Sequence, residues 1–128
     1  MIVVGWNNGS PNNRTGAGYG VRIVREDRDM YFQNTWSSVI IELDNGDLLD
    51  VLDVKLSASF WRGCTELRNV KIGKWMLEQG LAPWPKSDPP KLKLEPIGNR
   101  RFRLSHLSLV TSQRFASERR IEGSEGEN

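Results

Sequence analysis

Cysteine and histidine are almost missing from this chain, which has one of each, Cys64 and His106. A single Cys excludes an internal disulfide framework and fits a reducing compartment. One Cys and one His cannot build a zinc site of the usual type, and a thiol–imidazole pair would need the two side by side with a third group to orient them. Long apolar runs are missing too. None approaches the roughly 20 residues of a membrane helix, and MIVVGWNNG has neither the basic start nor the apolar stretch of a secretory leader. No membrane contact and a cytoplasmic location are therefore expected, and the sequon Asn13-Arg14-Thr15 is read as chance. Gly16, Gly18 and Gly20 are spaced GxGxG, which is not the dinucleotide fingerprint, and no P-loop lysine follows. The expectation is a non-enzymatic protein with no catalytic residues, no metal and no cofactor.

What is present is a chain of 128 residues, 38% hydrophobic and 27% charged. That is enough for one domain with a real core. The net charge of +2 is small, but its distribution is uneven. Residues 1–25 hold Arg14, Arg22 and Arg25 and no acid, whereas 42–53 hold Glu42, Asp44, Asp47, Asp50 and Asp53 and no base. Residues 86–103 hold Lys86, Lys91, Lys93, Arg100, Arg101 and Arg103 against Asp88 and Glu95. Such polarity suits a nucleic-acid binder with one basic and one acidic side. It also suits a set of solvated strand faces.

Along the chain, Ile2–Trp6 reads as a strand. NNGSPNNRTGAGYG, residues 7–20, is long for a loop in a compact domain and reads as a flexible arm carrying Arg14. Tyr19, Val21 and Ile23 alternate inward on a second strand, and REDRDMYF follows as a short helix with acids in its first turn. Two strands flank Asp44-Asn45-Gly46-Asp47, a strong hairpin signal, and the change of phase between Leu49/Val51 and Leu52/Val54/Leu56 predicts a bulge near Val51–Leu52. SASFWRGC reads as a loop or one turn. Asn69 is the predicted N-cap of a helix over 70–79, with Ile72, Trp75, Met76 and Gln79 on one face and Gly80 at its stop. KLKLEP and RFRLS turn around Gly98-Asn99, with Leu92, Leu94, Phe102 and Leu104 inward. The expected fold is α+β: a mainly antiparallel open pseudobarrel over residues 1–106, capped by two short helices. A tail over 107–128, disordered towards its end, completes the chain.

GVRIVREDRDMYF, ELRNVKIGKWMLEQGL and the final strands KLKLEP and RFRL together resemble the plant B3 DNA-binding domain. That pseudobarrel also serves as the effector domain of some type II restriction enzymes. The resemblance covers roughly residues 2–105 and implies double-stranded DNA as partner, gripped by two arms. One arm would be residues 7–20, with Asn12, Asn13 and Arg14 as contacts. The other would be Ser57–Arg68, with Ser59, Trp61, Arg62, Thr65 and Arg68. Arg can grip guanine or phosphate and Asn can pair with adenine. The loop is richer in Asn and Gly, and the Pro-rich segment 83–90 longer, than that pattern leads one to expect.

Two other classes compete. Trp6, Trp36, Trp61, Trp75 and Trp84 could line a pocket in a small-ligand or protein-interaction module. Asp53-Val54-Lys55, with Asp44 or Asp47 as second carboxylate, has the spacing of a metal-dependent nuclease. Set against the nuclease is the plain reading of 42–53 as an acidic solvent face turned away from any DNA.

Overall fold

Alternation of apolar and polar residues decides which side of each strand faces inward. The computed structural model describes residues 1–107, so the expected tail lies outside the described residues from Ser108 on. The order is β1 (Ile2–Asn7), β2 (Tyr19–Arg22), α1 (Arg25–Tyr31), β3 (Ser38–Asn45) and β4 (Leu48–Lys55), then α2 (Ala58–Arg62), β5 (Glu66–Arg68), α3 (Val70–Glu78), β6 (Lys91–Gly98) and β7 (Arg101–His106). The chain has the expected α+β class. Seven strands form one nearly closed, barrel-like sheet in the order β4-β3-β7-β6-β1-β2-β5. Every neighbouring pair is antiparallel except β3 and β7. Val3, Val21, Ile41, Leu67, Leu92, Leu94, Phe102 and Leu104 meet inside, each at most 1% exposed.

The bulge expected at Val51–Leu52 does not occur. β3 and β4 stay in register from Ser38–Lys55 to Asn45–Leu48. The first apolar phase lies on the outer face instead, with Leu49 and Val51 44% and 49% exposed. The register shifts between Pro96 and Gly98 of β6, where proline has no N–H to offer a ladder. The β3–β4 turn is Gly46-Asp47, since Asn45 still pairs with Leu48. Gly46 takes φ +78, and its N–H is held by the Asp44 carboxylate at 2.9 Å. β4 has no second neighbour in the sheet. Asp50, Asp53 and Lys55 are the charges that keep such an edge from pairing with another chain.

The two barrel ends are closed differently. At the end where β7 finishes, α3 inserts Ile72, Trp75 and Met76, all buried. Its N-cap is Asn69, whose side chain accepts from Lys71 N at 2.8 Å. Its stop is a Schellman motif, with Leu81 N bonded to Met76 O and Gly80 N to Leu77 O, and Gly80 at φ +74. The Trp75 indole N–H reaches Asp44 O at 2.9 Å and locks the β3–β4 hairpin to the plug.

At the other end, Phe32 stacks on Phe102 at 4.7 Å and packs on Phe60 at 5.3 Å. Here the expectation of two helices is corrected to three. Residues 58–62 are helical although too short to show a periodic face. Arg28 supplies the reason: it is 7% exposed and donates to Phe60 O at 2.9 Å and Trp61 O at 3.1 Å. Carbonyls that a short helix leaves open are thus satisfied by a buried guanidinium. No helix among the described residues is long and apolar enough to cross a membrane.

Candidate nucleic-acid interface

Loop 7–20 joins β1 to β2 at the α3 end, and it is not the free arm expected from its composition. Asn8 N bonds Gly18 O, Asn12 N bonds Ala17 O, and Gly16 N bonds Asn12 O. The Asn12 side-chain oxygen accepts from Arg14 N and Thr15 N, and the Asn13 oxygen accepts from the Tyr19 hydroxyl. Burial pushes the Tyr19 phenol up, which keeps it protonated and donating. Gly16 sits against α3 so closely that a Cβ there would lie 2.3 Å from Lys74 N. A Cβ on Gly73 would lie 2.0 Å from Gly16 O. Two glycines, one on each side, therefore seat the loop on the helix. Asn12 and Asn13 organise the loop through their oxygens, while Arg14 projects exposed from it.

The second arm, Ser57–Arg68, runs the length of the barrel. It starts at the α1–α2 end and finishes beside loop 7–20. Ser59 is half-buried and shares a hydroxyl contact with Ser57 at 2.7 Å. Trp61 is half-buried, edge-on to Phe60, with the Arg28 guanidinium 5.5 Å from its ring. Thr65 belongs inside: it is 6% exposed and donates to Ile23 O at 2.6 Å. In this structure its hydroxyl joins β5 to the end of β2. Arg62 and Arg68 are exposed, Arg62 at the end of α2 and Arg68 at the end of β5.

Arg68 closes a cross-strand row. Trp6 pairs with Gly20, and Gly20 pairs with Arg68. The glycine leaves room for the guanidinium to lie 5.5 Å from the Trp6 ring centroid. Trp6, Asn8, Ala17, Gly18, Arg68, Asn69 and Val70 line one open groove of about 350 Å³. Residues of both arms thus meet at Arg68. Arg62 stands apart, at most about 20 Å away along six residues of extended chain.

The arginines fall into two groups. Arg22 pairs with Glu66, Arg28 with Asp29, and Arg101 and Arg103 with Glu42, while Arg100 donates to Ser38 O. Hydrogen bonds from Arg101 and then Arg103 hold the Glu42 carboxyl below its ordinary value. Among the described residues, Arg14, Arg25, Arg62 and Arg68 meet no carboxylate within salt-bridge reach. Three of these four were candidates from the sequence. Arg25 was missed, although the acid-free stretch 1–25 pointed to it; its guanidinium comes within 3.8 Å of where a Cβ on Gly63 would stand, next to Arg62. Trp6 was missed because IVVGW is apolar on both faces and its pattern does not say which side is out.

The acidic hairpin is not on the far side of the barrel from loop 7–20. Its tip lies at the α3 end, with α3 between: Asp50 and Val51 share a groove of about 250 Å³ with Lys71, Lys74 and Glu78. The acids do not assemble a metal site. Asp53 faces Ile40 across the β3–β4 ladder and Asp44 faces Leu49, which puts their carboxylates about 13 Å apart at strand rise. Asp50 is bonded by Asn45 at 2.6 Å. Among the described residues no three His, Cys, Asp or Glu side chains converge.

Cys64 is exposed before β5, whereas His106 bonds Gln79 at 2.8 Å beyond the C-terminal end of α3. The five tryptophans do not share a pocket either. Trp75 is core, Trp36 packs on Phe32 and Phe102, and Trp84 lies edge-on to Tyr19 at 5.4 Å, closing the barrel near Gly5. Trp6 and Trp61 line separate grooves. Compared with family models, curated proteins and solved structures, the chain matches none.

Proposed function

We propose that this protein is a non-enzymatic binder of double-stranded DNA, using loop 7–20 and segment 57–68 as two arms of a B3-like pseudobarrel. The observation that carries the reading is the groove at Arg68, where the second arm meets Asn8 and Gly18 of the first beside Trp6 of β1. Arginines without a carboxylate partner suit a phosphate backbone, because each contact releases condensed counterions. Arg14, Arg25, Arg62 and Arg68 are such residues.

The test is equilibrium binding of a mixed-sequence duplex across 50–300 mM salt. The expected log–log slope is about −2.7 if Arg14, Arg25 and Arg62 meet phosphate and about −3.6 if Arg68 does too, at roughly −0.9 per phosphate contact. Arg14→Ala and Arg62→Ala should each make it shallower by about 0.9. Absence of duplex binding at low salt would sink the proposal.

A further inference from the structure

We infer that Arg68 is the base-reading residue of this interface and that Trp6 is its positioning residue. The inference rests on the DNA-binding reading above and adds to it a division of labour among the free arginines. Arg14, Arg25 and Arg62 are exposed with no aromatic partner among the described residues, which leaves them free to follow a phosphate. Arg68 differs. Its guanidinium lies over the Trp6 ring at 5.5 Å, and its stem crosses β2 at a glycine. A Cβ on Gly20 would stand 3.2 Å from Arg68 Cγ and 2.3 Å from Leu67 O, so no other residue leaves that path open.

The consequence is orientational. A free arginine must lose rotamer freedom before both prongs of its fork can engage one base. Resting over an indole face restricts where the guanidinium can go before a base arrives, and the side chain stays exposed. The neighbouring acid, Glu66, is 8% exposed and already paired with Arg22. The rest of the groove, Asn8, Ala17, Gly18, Tyr19, Asn69 and Val70, carries no charge that could draw the fork away. A planar pair of donors, restricted in place and without a carboxylate, fits the O6 and N7 acceptors of guanine in the major groove. A phosphate needs no fixed plane.

The experiment has two stages on the full chain. Wild-type protein is first titrated with a random duplex pool at low salt, then used to select preferred duplexes from it. Each position of the preferred duplex is next varied for wild type, Arg68→Lys, Trp6→Leu and Trp6→Phe, with circular dichroism confirming the fold. At one G·C position the wild type should discriminate by about 5- to 150-fold. Arg68→Lys and Trp6→Leu should flatten that position alone and leave the salt slope unchanged, and Trp6→Phe should restore the preference by restoring a ring. No base preference in wild type overturns the inference while leaving DNA binding standing. So does a uniform weakening on all duplexes by Arg68→Lys and Trp6→Leu, which would assign Arg68 to phosphate. No binding of the random pool by wild type overturns the functional reading and this inference together.

Discussion

Gly73→Ala is the substitution for which two physical effects predict opposite signs. Gly73 stands in the interior of α3, where replacing glycine by alanine ordinarily stabilises by about 1 kcal/mol through helix propensity and a stiffer unfolded chain. In this structure the new methyl would sit 2.0 Å from Gly16 O, 2.7 Å from Gly16 C and 2.8 Å from Tyr19 Cβ. Two of those atoms are backbone, and the loop bearing them is tied by its own hydrogen bonds, so it cannot yield by turning a side chain. Overpacking costs of about 1–3 kcal/mol apply, at the upper end here, which leaves a net loss of about 2 kcal/mol. Urea unfolding followed by tryptophan fluorescence is the assay, and with an m-value near 2 kcal/mol/M the midpoint should fall by about 1 M. Gly80→Ala is the control. Gly80 has φ +74 and no atom within 4 Å of its Cβ position, so only the conformational cost of about 1 kcal/mol is due. Gly73→Ala should therefore be the more damaging of the two, against the ranking from helix propensity. The double variant Gly16→Ala/Gly73→Ala should cost less than the sum, since one methyl already lifts the loop. A raised midpoint for Gly73→Ala would refute the seating of loop 7–20 on α3.

Two further outcomes follow from buried polar groups. Thr65→Val keeps the shape but removes the hydroxyl bonded to Ile23 O at 2.6 Å. It should cost about 1–3 kcal/mol in chemical denaturation and leave duplex affinity of the folded protein unchanged; a loss of affinity without a loss of stability would return Thr65 to the interface. Glu42 titrates below its ordinary value because Arg101 and Arg103 bond its carboxylate. The unfolded chain thus takes up the proton first as pH falls, and the stability tied to Glu42 is present above the ordinary carboxylate range and is lost on descent through the depressed value. Urea midpoints measured from pH 6 to pH 3 should fall more steeply for wild type than for Glu42→Gln, and parallel curves would count against the Arg101–Glu42–Arg103 cluster.

What was legible in the sequence is what repeats at short range. Period-two alternation placed Tyr19, Val21, Leu92, Leu94, Phe102 and Leu104 inside, and all are buried. Asn69 and Gly80 marked the ends of α3 because cap chemistry is local. The misses share one cause, contact between residues distant in sequence. α2 depends on Arg28, thirty-two and thirty-three residues from the carbonyls it holds. The seat of loop 7–20 depends on Gly73, and a stretch rich in Asn and Gly looks the same whether it is free or docked. Leu49 and Val51 read as a bulge because an exposed apolar pair on an edge strand breaks the usual in–out rule.

Charge placement shows the same limit at the level of function. By count, segment 86–103 is the most basic part of the chain, yet its three arginines are all engaged. Arg100 donates to Ser38 O, and Arg101 and Arg103 clamp Glu42 from a neighbouring strand. Those side chains join β7 to β3 in the sheet's one parallel pairing, so their charge serves the fold. Segments 1–25 and 57–68 carry fewer basic residues but keep Arg14, Arg25, Arg62 and Arg68 without a carboxylate partner. An excess of positive charge in sequence locates an interface only after internal partners are subtracted. Among the arginines, subtracting internal partners moves the candidate surface from the final hairpin to loop 7–20 and segment 57–68, where Arg68 rests on Trp6.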